Sequence, residues 1–111
     1  MKEISVQDLK KKLDSIEDFI LLDVRNYDEY DFCKINNAVL IPLPEISSRF
    51  NELNKNKEII IYCHSGRRSA SAVNFLESVG FNDVKNLKGG IDAWSEEIDS
   101  TVLKYWISLL L

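Results

Sequence analysis

Ile59-Ile60-Ile61-Tyr62-Cys63-His64-Ser65-Gly66-Arg67-Arg68-Ser69 is the stretch that decides the fold. Three β-branched residues in a row, followed by tyrosine, read as a strand, because branched side chains pack well on a pleated surface. That strand ends at Cys63. Further on, Ala72, Phe75, Leu76 and Val79 fall at the i, i+3, i+4, i+7 spacing of one helix face, and Gly80 stops the helix as a left-handed cap. A strand and a helix are therefore joined by a short loop. It carries a cysteine, the only histidine and two of the four arginines, Arg67 and Arg68.

The same alternation continues on both sides. Upstream, Ser5 followed by Asp8 resembles a capping box and predicts a first helix over Val6 to Leu13. Phe19-Ile20-Leu21-Leu22 is apolar on both faces, as suits a buried strand of a parallel sheet. Asn26 to Phe32 predicts a short helix, Ala38 to Ile41 a strand stopped by Pro42, and Glu45 to Leu53 a further helix. Downstream, Val84 to Leu87 reads as a strand, Gly89-Gly90 as a turn and Ile91 to Glu97 as a helix. Strands alternating with helices imply an α/β fold with a mainly parallel central sheet flanked by helices. At 111 residues, with no repeat or linker, the chain has room for one domain.

Composition narrows the function classes. Fourteen Lys and Arg against 18 Asp and Glu leave a formal charge of -4, which argues against a phosphate backbone as the main partner, so no nucleic acid is expected. Two cysteines and no signal peptide point to a reducing compartment, the cytoplasm. Val102 to Leu111 holds eight apolar residues in ten, too few for a transmembrane segment, which needs roughly 20. Packing on its own domain is the default for that end, and a dimer or partner contact the alternative.

Cys63 lies at the carboxyl end of its strand, where open α/β sheets bind ligands. A short loop entering a helix turns several orphaned N–H groups inward, and these call for an anion. A cysteine at their focus, beside two guanidinium groups, is placed as an activated nucleophile in an anion cradle. Gly66 relieves the crowding of a curled loop. Arg67 and Arg68 would be disfavoured by the helix dipole unless an anion offset them. His64 reads as a general base or a solvent-facing loop residue, Ser65 as a donor to the anion or a turn former, and Ser69 as a helix-start donor. Only four residues separate Cys63 from Arg68, one fewer than in the cysteine-dependent phosphatases. A smaller ring should favour a smaller terminal group, such as a sulfur atom carried on the cysteine.

At these residues the chain resembles the rhodanese family of sulfurtransferases. Leu22-Asp23-Val24-Arg25, Glu29-Tyr30, Ile41-Pro42-Leu43, the loop from Ile61 to Ser69, Gly80-Phe81, and Leu87-Lys88-Gly89-Gly90-Ile91-Asp92-Ala93-Trp94 carry the resemblance. It covers residues 4–105 as one rhodanese-like domain and leaves 106–111 as an apolar tail. It implies that Cys63 takes a sulfane sulfur, becomes a persulfide and passes the sulfur on. The donor would be a small molecule such as thiosulfate or a protein persulfide, and the acceptor a thiol or a sulfur carrier. No cofactor is implied. Cys33-Lys34-Ile35-Asn36-Asn37-Ala38 stands where many members have Gly-His-Ile-Pro-Gly-Ala, so a turn glycine and a histidine are lost. That variant and the stretch from Asp92 to Tyr105 are similar to the rhodanese-like domain of adenylyltransferase–sulfurtransferases.

Plainer readings compete at several positions. Asp23 and Arg25 belong on the same sheet rim as Cys63 and read as structural support, by an ion pair or a helix cap. Cys33 reads as packing beside Phe32, or as a resolving thiol for Cys63. Trp94 reads as core. No metal site is expected, because Cys33, Cys63 and His64 lack metal-ligand spacing. A cysteine-dependent phosphatase or arsenate reductase and a non-catalytic binding module are the alternatives to a sulfurtransferase.

Overall fold

The computed structural model describes residues 1–102; expectations for the apolar tail at 106–111 and for a domain boundary near 105 lie outside them. β4 (Glu58–Tyr62) is the core of the sheet, and Ile59, Ile60, Ile61 and Tyr62 have no solvent exposure. Fully burying an aliphatic side chain of this size contributes about 1.5–3 kcal/mol relative to leaving it exposed, so this strand anchors the domain. β5 (Val84–Leu87) pairs with it on one side and β2 (Phe19–Asp23) on the other. β1 (Lys2–Ile4) and β3 (Val39–Leu40) form the edges, giving a five-stranded sheet in the order β1-β5-β4-β2-β3 with every pairing parallel. The α/β reading holds. The one strand not foreseen is β1, which has only three residues and buries only Ile4, too little to leave a periodic pattern.

α1 (Val6–Asp14) starts where Ser5 caps it, the Asp8 N–H donating to Ser5 Oγ at 3.1 Å. α1 and α5 (Gly90–Glu97) cover one face of the sheet, with Val6, Leu9, Ile91 and Trp94 packed on Leu21, Ile60, Tyr62 and Leu87. α4 (Arg67–Ser78) and the four-residue α3 (Ile46–Arg49) cover the other, over Leu22, Ile59, Ile61 and Val84. The helix expected over Glu45 to Leu53 is broken into α3 between 3₁₀ turns at Leu43–Glu45 and Phe50–Glu52. Pro44 removes a donor at its start, and Ser48 Oγ bonds back to the Glu45 carbonyl, so a regular ladder is not sustained. α4 ends at Gly80, φ +100°, with Phe81 N bonded to Leu76 O and Gly80 N to Glu77 O, the double bond pattern of a Schellman cap.

The topology marks one place on the rim. From β2 the chain moves outward to β3, whereas from β4 it moves the opposite way to β5. Connections leaving two adjacent strands in opposite directions open a crevice at their carboxyl ends. Asp23 and Tyr62 are register partners there, and Cys63 is the next residue. At the other end of the strands Lys12, Lys85, Glu58 and Asp83 form an ion-pair cluster.

Candidate active site at Cys63

Cys63 is 1% exposed, and its side chain belongs to the face that α4 covers. Three groups converge on its sulfur. Gly66 N donates at 3.2 Å, Ser69 N donates at 3.4 Å, and Ser69 Oγ lies 3.3 Å away. Ser69 is the third residue of α4, so its N–H has no partner inside the helix. The cysteine sulfur takes the position that a capping oxygen normally fills. Gly66 is the N-cap of α4, with φ +119°. A Cβ there would meet only Asn86 Nδ2, at an ordinary 3.8 Å. The glycine is therefore required by its left-handed backbone rather than by crowding, which corrects the sequence reading.

The back of the loop is held by α5. Ile91 N donates to Cys63 O at 3.0 Å and Asp92 N to His64 O at 3.1 Å, so orphan donors of one helix clamp the carbonyls that precede the other. His64 Nε2 lies 2.9 Å from Asp92 Oδ1, with both side chains about a quarter exposed, which draws the imidazole toward α5. Trp94 is core, as expected.

The two arginines have different surroundings. Arg67 is exposed and has no ion-pair partner among the described residues. Arg68 is gripped by Glu29, with Nη1 on Oε1 at 2.6 Å and Nη2 on Oε2 at 2.9 Å. Glu29 also accepts from Asn26 N, closing the capping box of α2 (Tyr27–Phe32). The anion that offsets Arg68 at the start of α4 is thus a carboxylate of the protein itself. Ser65 is exposed at the loop tip.

Asp23 and Arg25 pair with each other. Both are fully buried, and Arg25 Nη2 sits 2.7 Å from Asp23 Oδ2. Arg25 Nη2 also donates to Cys33 O at 2.6 Å, and its guanidinium lies 5.5 Å from the Tyr62 ring. Tyr62 and Cys33 belong to the α1/α5 face, so this pair braces the rim on the side away from the Cys63 sulfur. Asn37 adopts φ +71°, so a residue that tolerates the left-handed region stands where the resemblance implies a turn glycine.

Cys33 packs on the α1/α5 face and Cys63 on the other, so the sheet separates the two free thiols. That arrangement favours packing over a resolving role for Cys33. Burial pushes the Cys33 thiol up, with Arg25 opposing. Native Cys33 is therefore expected to alkylate with a pH midpoint above the usual thiol value, reacting more slowly at neutral pH than the same cysteine in the unfolded chain. The sign follows: a raised pKa contributes stability that is full below the unfolded value and is lost as pH rises through the folded one. Peptide-resolved alkylation with iodoacetamide across pH 6–11 checks it, and a midpoint at or below that of unfolded protein would contradict it. A cavity of about 550 Å³ adjoins Cys33, lined also by Lys10, Leu13, Ile35, Trp94 and Ile98, and does not include Cys63.

Sequence reasoning gave no role to two neighbours of the loop, Asn86 and Asp92. Asn86 is a polar residue inside a buried strand, 5% exposed, and a buried amide needs partners. That mismatch was the available signal. Asp92 sits in a helix first turn, where acidic residues are common, and left none.

A family match agrees with this geometry. Residues 5–97 match the rhodanese-like domain, and the chain belongs to that family. It is 46% identical over 93 residues to YrkF of Bacillus subtilis, whose name is that of a sulfur carrier protein, covering 84% of this chain and 50% of YrkF. The chain thus spans half the length of that relative. It is 37% identical over 95 residues to a sulfurtransferase of Allochromatium vinosum, covering 86% of this chain and 89% of the other. The similarity to adenylyltransferase–sulfurtransferases also holds: UBA4 of Debaryomyces hansenii is 35% identical over 113 residues, 92% of this chain and 25% of UBA4. A rhodanese-like domain protein of Staphylococcus aureus superposes with a TM-score of 0.82 at 40% identity, over 88% of this chain and 95% of that one.

Proposed function

We propose that this domain is a sulfurtransferase in which Cys63 carries a sulfane sulfur as a persulfide. The observation that carries the reading is the convergence of Gly66 N, Ser69 N and Ser69 Oγ on the Cys63 sulfur, at the crevice where the sheet changes direction. The two backbone donors among them, Gly66 N and Ser69 N, are preorganised to stabilise negative charge on sulfur without reorganising during the reaction.

With thiosulfate as donor, the Cys63 thiolate attacks the sulfane sulfur. The new bond is Cys63 S–S, the sulfur–sulfur bond of thiosulfate breaks, and sulfite leaves with the electron pair. The outer sulfur keeps the negative charge. An acceptor thiolate then attacks it, forming its own persulfide and returning Cys63 as thiolate; cyanide would leave as thiocyanate. A protein persulfide can replace thiosulfate and a sulfur-carrier protein can replace the thiol, with the same bond changes. Arg67 is exposed at the helix start, which supports a role in attracting an anionic donor. His64 and Ser65 flank the loop mouth. Asp23 and Arg25 act as supports for the rim.

The same geometry weighs against phosphatase or arsenate chemistry. That chemistry asks the loop arginine to bind oxyanion oxygens, and the Arg68 fork is occupied by Glu29. Both cysteines are free, which suits a reducing compartment such as the cytoplasm. No helix among the described residues is long and apolar enough to cross a membrane.

The test is a mass measurement. Reduced protein exposed to thiosulfate or a low-molecular-weight persulfide should gain one sulfur atom on the Cys63 peptide, reversed by cyanide or dithiothreitol. Reduced, folded protein that gains no sulfur from either class of donor, or gains it on Cys33, would overturn the reading.

A further inference from the structure

Ser69 Oγ has two neighbours and one proton. It lies 2.6 Å from Asn86 Oδ1 and 3.3 Å from Cys63 Sγ, and Ser69 itself is fully buried. The Asn86 amide cannot be turned over. Its Nδ2 donates to Gly66 O at 3.1 Å, and a carbonyl only accepts, so Oδ1 must face Ser69. A carboxamide oxygen offers no proton, so the hydroxyl proton belongs to this short contact.

We propose that Asn86 is a positioning residue for Cys63, holding the Ser69 hydroxyl proton and so presenting the Ser69 oxygen to the sulfur as an acceptor. The proposal rests on the reading of Cys63 as sulfur carrier. The bonds then run in one direction: Cys63 S–H to Ser69 Oγ, Ser69 O–H to Asn86 Oδ1, Asn86 N–H to Gly66 O. They return to the start, because Gly66 N donates to the same sulfur.

This circuit distinguishes three states of the cysteine. The thiol satisfies every group. The bare thiolate does not: either the Ser69 lone pair faces a charged sulfur, or the hydroxyl turns to the sulfur and leaves the buried Asn86 oxygen without its donor. In the persulfide Cys63 Sγ is uncharged and the negative charge sits on the outer sulfur, so Ser69 can keep Asn86 as its partner. Asn86 thus completes the hydrogen bonds of the thiol and of the loaded cysteine, and not those of the bare thiolate. It reaches the sulfur only through Ser69 and Gly66.

The test is the pH dependence of Cys63 alkylation by iodoacetamide, resolved from Cys33 by peptide mass and read without any sulfur donor. Asn86→Ala, and the near-isosteric Asn86→Leu in case the smaller residue fails to fold, should each lower the midpoint by about one pH unit, a tenfold rise in thiolate fraction on the acid side. Freed from Asn86, the Ser69 hydroxyl then donates to the sulfur. In a Ser69→Ala background the same substitutions should move the midpoint by less than a third as much. A midpoint unchanged or raised by the Asn86 substitutions, or an equal shift without Ser69, would overturn the proposal. Because no donor is present, the result separates from the sulfur-carrier reading: a shifted midpoint with no sulfur gain leaves the circuit standing and removes the carrier, and the reverse removes the circuit alone.

Discussion

Cys63→Ser is expected to remove sulfur transfer altogether, lowering turnover by at least about 10⁴-fold, while leaving a folded domain. A serine hydroxyl is not ionised near neutral pH and does not attack a sulfane sulfur, so no persulfide can form. The fold should survive because the site accommodates oxygen. The Gly66 and Ser69 N–H groups that serve the sulfur can serve an oxygen, and Ser69 Oγ offers a further partner. A hydrogen-bonded replacement of nearly the same size should change stability by about 1 kcal/mol or less. Sulfur transfer to cyanide, with urea unfolding as the control, checks both halves. Activity within tenfold of the parent would mean that another group, with Cys33 the first to examine, carries the sulfur.

Gly90→Ala should have the largest effect on stability, a loss of about 3 kcal/mol or more, with failure to fold as the limit. A Cβ at this position would lie 2.4 Å from His64 O and 2.7 Å from Cys63 O. These are backbone atoms and cannot swing aside. The residue also has φ +61°, a conformation that alanine adopts only at a penalty. The close approach has a purpose: it lets Ile91 N and Asp92 N reach the carbonyls of Cys63 and His64. Gly89→Ala meets a Cβ of its own helix, that of Ala93, at 2.6 Å, and φ +80° adds to its strain, but it does not strike the active loop. Gly90→Ala protein that folds should therefore show slower sulfur uptake at Cys63 than Gly89→Ala protein of matched stability. Urea unfolding and the initial rate of sulfur gain are the measurements, and equal stability of Gly90→Ala and the parent would refute the clash.

The central strand, the helix after it and the loop between them were legible because their signals are local. Ile59 to Tyr62 is apolar on both faces, and Ala72, Phe75, Leu76 and Val79 sit one helical turn apart. Gly80 is a glycine where the chain must turn left-handed, and it forms the expected cap. β1 was not legible, since its three residues gain their place by pairing with β5, at the far end of the sequence. The gap left by the lost turn glycine was visible, but not that Asn37 would fill it.

That Cys63 ends a buried strand and precedes a helix whose first N–H groups lack partners could be read from the residues alone. That follows from chain neighbours alone, because strand, loop and helix are contiguous and orphan donors are a property of any helix start. Which charges and protons meet there is set by the packed fold. Arg68 is joined to Glu29 39 residues away, Ser69 to Asn86 17 residues away, and the Cys63 carbonyl to the start of α5. Hydrogen bonds act over about 3 Å. Whether two side chains come that close depends on the order of strands in the sheet and on which face each residue takes, and no spacing along the chain encodes either.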